Sequence, residues 1–138
     1  MADYKAIPDM RVSELMTKYV LMVEPELRVI DAMSRMLEHN FRCIIVARMN
    51  PYKELGLVTR FDIMEKVIGK GLDPLKVRVG DIMEKPVIFI DADDTVREAA
   101  RLMGENQICN LPVKKDGRVV GVIGSTDIFR EYRRRITG

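Results

Sequence analysis

One histidine, His39, is all the imidazole in this sequence, and two cysteines, Cys43 and Cys109, are all its thiol. A multi-histidine metal site is therefore excluded, and two distant cysteines outside any CxxC or Cys/His cluster suggest neither zinc nor a disulfide framework. Both thiols are expected free and in the core. The chain also lacks a nucleophile–base pair and a glycine-rich phosphate loop, so enzymatic activity is not expected. No apolar run approaches the roughly 20 residues that span a bilayer. The polar start, Met1 to Lys5, lacks the layout of a secretory signal, and a cytoplasmic location is expected. Nor is there an excess of one charge: 23 Lys and Arg oppose 21 Asp and Glu, a net +2. Overall bias toward nucleic acid or anionic membrane is thus absent. The exception is local, where Arg130, Arg133, Arg134 and Arg135 are opposed only by Glu131.

What the sequence does have is 47% hydrophobic residues, enough for an ordinary globular core, and an internal duplication. Residues 12–46 align without a gap on 79–113. Val12, Met16, Lys18, Val20, Val29, Ala32, Met36, Glu38 and Val46 recur as the same residue, and Leu15/Ile82, Leu21/Ile88, Asp31/Glu98 and Phe41/Ile108 keep their chemistry. After a length difference in one turn the match resumes, Gly56 on Gly121 and Asp62-Ile63 on Asp127-Ile128.

Within each copy the hydrophobic period changes in a fixed order. In the second, residues 87–90 suit a buried strand, and Asp93-Asp94-Thr95 supplies N-cap chemistry for a helix carrying Val96, Ala99, Ala100 and Met103. Residues 111–114 and 118–123 form a hairpin around Asp116-Gly117, and a helix follows over about 126–135. The first copy gives a strand at 20–23, a helix at 28–38, a hairpin of 43–48 and 54–59 broken at Asn50-Pro51, and a helix at about 61–68. The fold class is therefore α/β in the α+β sense, two β-α-β-β-α units. The repeats span 12–70 and 79–135, with 71–78 as connector. Each is too small to be robust alone, so packing of the two through their sheets with pseudo-two-fold symmetry is expected.

Several short motifs occur in order and twice. Val12 to Thr17 and Val79 to Glu84 open the copies; Asp94 to Ala99 and Leu111-Pro112-Val113 lie within the second. The ending is complete in the first copy as Gly56-Leu57-Val58-Thr59-Arg60-Phe61-Asp62. In this order they resemble the CBS (cystathionine-beta-synthase) domain family, over nearly the whole chain, as a stand-alone tandem pair (a Bateman module). The resemblance implies adenosine-containing ligands, AMP, ADP, ATP or S-adenosylmethionine, bound in clefts between paired units as regulators rather than cofactors. It implies ribose hydroxyls on Asp62 and Asp127, the purine against Leu57 and Val122, and phosphate near Thr59, Arg60, Arg42 and Asn110. A carboxylate can accept from both ribose hydroxyls, and a helix beginning after Thr59 favours an anion.

The second copy departs from the pattern. Gly124 stands where the first has Thr59, leaving Ser125 or Thr126 to substitute, so the two sites are expected to differ, with the first preferred for phosphate. A plainer reading of Thr59-x-x-Asp62 is a helix cap. The methionines at apolar helix positions, Met33, Met36, Met64 and Met103, are expected as core filler. The arginine-rich end with Lys66, Lys70, Lys76 and Arg78 leaves nucleic-acid binding as an alternative, and a purely dimerising module is another. A homodimer meeting through the last helix of each copy, and an unknown regulated partner, complete the expectation.

Overall fold

The computed structural model describes residues 3–49 and 52–138, so the Asn50-Pro51 breaker lies outside the described residues. After a 3-10 turn (Tyr4–Asp9) come α1 (Val12–Leu15), β1 (Met22–Val23), α2 (Val29–Glu38), β2 (Cys43–Met49), β3 (Tyr52–Thr59) and α3 (Arg60–Ile63). Helix α3 runs on as a π-helical turn (Met64–Ile68). Then follow α4 (Val79–Ile82), β4 (Ile90–Asp91), α5 (Val96–Asn106), β5 (Asn110–Lys115), β6 (Arg118–Gly124) and α6 (Ser125–Thr137). The expected order is met twice. The opening strands are shorter than expected: each pairs in parallel over two residues, Met22–Val23 and Ile90–Asp91, rather than the four the apolar runs suggest.

Each copy builds a three-stranded sheet, β1-β2-β3 and β4-β5-β6, with the hairpin strands antiparallel. The duplication extends to irregularities that composition does not reveal. Ladder shifts fall between Val46 and Ala47 and between Val113 and Lys114, matching positions of the two copies. Helices α2 and α5 stop at matching left-handed residues, Asn40 (φ 54) and Gln107 (φ 53). At the start of α5 the Thr95 hydroxyl accepts from the Glu98 amide at 3.2 Å, the expected cap.

The compact units are not the sequence repeats. One is Leu21–Val87; the other joins residues 3–20 to Ile88–Gly138. Each repeat's opening helix is thereby packed in the unit that holds the other repeat's sheet. Val79 and Ile82 of α4 are buried with Val29, Ile44, Val58 and Ile63, while Val12 of α1 is buried with Ile90, Val96, Leu111 and Ile128. Backbone bonds hold the exchange. Leu57 and Glu84 trade two (2.9 and 2.8 Å), as do Thr17 and Val122 (2.9 and 2.9 Å). The 71–78 connector is structured for a related reason: carbonyls of Val77 and Pro74 accept from the amides of Val29 and Ile30, which the first turn of α2 leaves without intrahelical partners.

Two glycines make this packing possible. A Cβ on Gly56 would lie 2.7 Å from Met83 Cγ, and one on Gly121 would lie 2.6 Å from the Thr17 carbonyl oxygen. Two expectations are corrected. Cys43 is buried, but Cys109 is exposed at the entry to β5. Met64 is 56% exposed, because the π-helical turn sets it on the outer face, whereas Met36 and Met103 are core residues.

Candidate functional site

In the unit Leu21–Val87 the chain turns from β3 into α3 at Thr59, and the cap expected as the plainer reading is present in full. The Thr59 hydroxyl accepts from the Asp62 amide at 3.1 Å and donates to Asp62 Oδ2 at 3.0 Å, and the Thr59 amide donates to the same oxygen at 2.8 Å. The remaining oxygen, Oδ1, lies 3.5 Å from Lys66 Nζ, which also donates to the Ile82 carbonyl at 2.9 Å. Glu84 hydrogen-bonds the Asp62 side chain as well. Asp62 is consequently 1% exposed and fully engaged within the chain. The free carboxylate expected of it is absent from this conformation.

Its neighbours are similarly occupied. Leu57, expected against a purine, is 8% exposed. Arg60 turns back onto the end of α2, donating to the carbonyls of Phe41 (3.2 Å) and Met36 (3.4 Å) and to Asn40 Oδ1 (3.4 Å). Met36 lies in the last turn of α2 and Asn40 and Phe41 just beyond it, so Arg60 braces the end of that helix. Arg42 is exposed and gives its carbonyl to the Arg60 amide. The first-copy motif, preferred for phosphate on its sequence, is thus the more self-satisfied of the two.

In the other unit the same turn, from β6 into α6, is more open. Asp127 Oδ2 accepts from the Gly124 amide at 2.8 Å, but glycine returns no hydroxyl, and the side chain of Asp127 keeps 15% of its surface exposed. Oδ1 has two long contacts, 3.4 Å each, to the Thr17 hydroxyl and to Arg130 Nη1. Asn110, opposite Gly124 in the ladder, fills the space a threonine side chain would take, its Oδ1 2.7 Å from where a Cβ would stand. Ser125 and Thr126 are half-buried, and neither hydroxyl has a hydrogen-bond partner among the described residues. Val122 is half-buried. The structure therefore gathers Asn110, Val122, Gly124, Ser125, Thr126 and Asp127 at the N-terminus of a 13-residue helix whose second and third amides have no side-chain cap.

Thr17, Glu84, Lys66 and Arg130 were not singled out for this role by their sequence. Thr17 and Glu84 occupy matching places, one residue after Met16 and Met83, and that repeat position is the signal that could have found them. The charged clusters are largely spent on intrachain pairs. Arg134 and Arg135 meet Glu131, Arg135 also reaches Asp3, and Arg78 donates to the Glu26 carbonyl. Among the described residues no cluster of acidic, histidine or cysteine side chains could hold a metal, and no helix is long and apolar enough to cross a membrane.

Two repeats, each a parallel strand beside an antiparallel hairpin with two helices and an exchanged opening turn, define a tandem α+β module. The chain belongs to the CBS domain family, whose model matches residues 12–69 and 79–134. It is 32% identical over 105 residues to a mitochondrial CBS domain-containing protein of Arabidopsis thaliana, covering 74% of this chain and 51% of that protein. An uncharacterized protein of Methanopyrus kandleri is 29% identical over 120 residues, 86% of this chain and 61% of its own length. The chain thus spans between half and two-thirds of these two relatives. Among solved structures, an uncharacterized conserved protein from Pyrococcus horikoshii matches at a TM-score of 0.85 and 27% identity, over 94% of this chain and 96% of that one. A hexameric CBS-CP12 protein from bloom-forming cyanobacteria matches at 0.81 and 32%, over 89% and 71%.

Proposed function

We propose that the chain is a regulatory module that binds an adenosine-containing ligand and passes its occupancy to a partner protein. The observation that carries this reading is the open turn at Asp127. A partly exposed carboxylate able to accept from vicinal ribose hydroxyls stands beside uncapped amides and free hydroxyls that suit a phosphate, with half-buried Val122 nearby for a purine face. Arg130, 64% exposed, adds positive charge at the same helix end. Nothing in this arrangement supplies a nucleophile with a base, so the reading is of a sensor rather than a catalyst. A ligand here changes the response only by its differential affinity for two states.

Calorimetric titration with AMP, ADP, ATP and S-adenosylmethionine tests the reading. Binding below millimolar concentration that Asp127→Ala removes supports it; no heat with any of the four ends it.

The same proposal includes self-association. Leu37 (71% exposed), Phe61, Met64 and Ile68 leave an apolar face on α2 and α3, around a groove of about 210 Å³, and Phe129 is 74% exposed on α6. Exposed apolar patches of this kind mark interaction surfaces. A second copy is the proposed occupant, in keeping with the hexamer formed by the CBS-CP12 relative. Light scattering of wild type against Leu37→Asp/Met64→Asp reads it, and a monomeric wild type would exclude it.

A further inference from the structure

Glu84 and Thr17 occupy the same position of the two repeats, and each is held by a pair of backbone bonds to the residue expected against a purine, Leu57 or Val122. The position therefore borders both the purine-facing residue and the aspartate at each turn. What stands there differs. At Asp127 it is a threonine whose hydroxyl makes one long contact, 3.4 Å. At Asp62 it is a second carboxyl group that hydrogen-bonds the aspartate, backed by Lys66 Nζ 3.5 Å from Oδ1. The consequences run together: Asp62 is 1% exposed and Leu57 8%, whereas Asp127 keeps 15% of its side chain exposed and Val122 is half-buried.

We propose that Glu84, with Lys66, acts as a built-in occupant of the first-repeat site, closing Asp62 to a ribose and limiting the chain to one nucleotide, held at Asp127. This rests on the nucleotide reading above and deepens it by naming the residue that decides between one site and two. The groups that satisfy Asp62 are of the kind a ribose would offer: the Thr59 hydroxyl donates to Oδ2 at 3.0 Å, and Lys66 Nζ lies 3.5 Å from Oδ1. A ribose would have to displace Glu84 and separate a buried carboxylate from its ammonium partner, which is unfavourable unless both are re-paired. Threonine in place of Glu84 removes the competing carboxyl and installs the residue that the open site already uses.

The test has two readouts on the full chain. Carbodiimide-driven coupling of glycine ethyl ester, mapped by mass spectrometry, reports whether the Asp62 carboxylate is reachable without any ligand. Calorimetric titration with AMP and with ATP reports stoichiometry. Wild type and Glu84→Gln, which keeps the hydrogen bond, are expected to leave Asp62 unlabelled and to bind one nucleotide per chain. Glu84→Thr is expected to raise Asp62 labelling severalfold and to bind two, with far-UV circular dichroism unchanged. Asp62 labelled as readily in wild type as in Glu84→Thr, or two equal sites in wild type, overturns the proposal. Labelling that follows the prediction while no variant binds nucleotide leaves Glu84 as the closing group and removes the nucleotide reading instead.

Discussion

The Thr17 hydroxyl reaches Asp127 Oδ1 across 3.4 Å, the only side-chain donor other than Arg130 to approach that oxygen among the described residues. Asp62, its counterpart, accepts from the amide and hydroxyl of Thr59 and pairs with Lys66. One aspartate is therefore tied into the fold and the other only partly. Asp62→Ala should destabilise the chain by about 2–3 kcal/mol, because it removes a cap and takes the buried carboxylate partner from the partly buried Lys66 ammonium. Asp127→Ala, which loses one bond from the Gly124 amide, should cost roughly 0.5–1 kcal/mol and abolish nucleotide binding. Urea denaturation and calorimetry on the two variants separate the roles.

Glu84 gives the stability a pH dependence. Its carboxyl titrates above the ordinary value of about 4.5, first because it hydrogen-bonds Asp62, then because it is partly desolvated and stands near the Asp62 charge; Glu65 acts the same way and Lys66 opposes. For an acid whose folded value is raised, the stabilisation is whole below the unfolded value and is lost as pH rises through the folded one. Wild type should thus lose stability above about pH 4.5, and Glu84→Gln, which cannot ionise, should escape that loss. Because Glu84 lies at the surface, the gain at pH 7 should stay under about 1 kcal/mol, a few degrees in Tm. Thermal melts of both proteins from pH 4 to 8 check it.

How far this was legible in the sequence follows from what a repeat can and cannot encode. The order of elements, the hairpin at Asp116-Gly117 and the Thr95 cap depend on local chemistry, and each is found where the residues put it. The exchange of α1 and α4 between units was not legible, because hydrophobic period shows that Val12 and Val79 are buried but not against which sheet. On its sequence the first turn is preferred for phosphate, because a threonine three residues before an aspartate offers a hydroxyl beside a ribose acceptor. The same pair satisfies itself, while glycine at 124, apparently a loss, is what leaves helix amides open.

The two cysteines should behave as different reagents. Burial pushes the Cys43 thiol up to about 12, so almost none of it is thiolate near neutrality, whereas Cys109 is exposed. An aromatic disulfide reagent at pH 8 should therefore count one reactive thiol in the native protein and two in denaturant. A second fast thiol in the native state would mean that β2 opens on the timescale of the assay.

Alanine at the two matching glycines should hurt unequally. At Gly56 the added Cβ meets only side-chain atoms of Met83, Cγ and Sδ at 2.7 Å and Cβ at 2.8 Å, of which the flexible end can shift. At Gly121 it meets the Thr17 carbonyl oxygen at 2.6 Å, which is backbone, accepts from the Val122 amide at 2.9 Å and cannot move without breaking the bridge that holds α1 in its unit. Gly121→Ala should cost about 2–3 kcal/mol and Gly56→Ala about 1 kcal/mol, as overpacking does when neighbours are rigid or compliant. Because Thr17 also contacts Asp127, Gly121→Ala should weaken nucleotide binding while Gly56→Ala leaves it unchanged. Urea midpoints with calorimetry on both variants decide this; equal costs would mean that the opening turn adjusts as freely at Thr17 as at Met83.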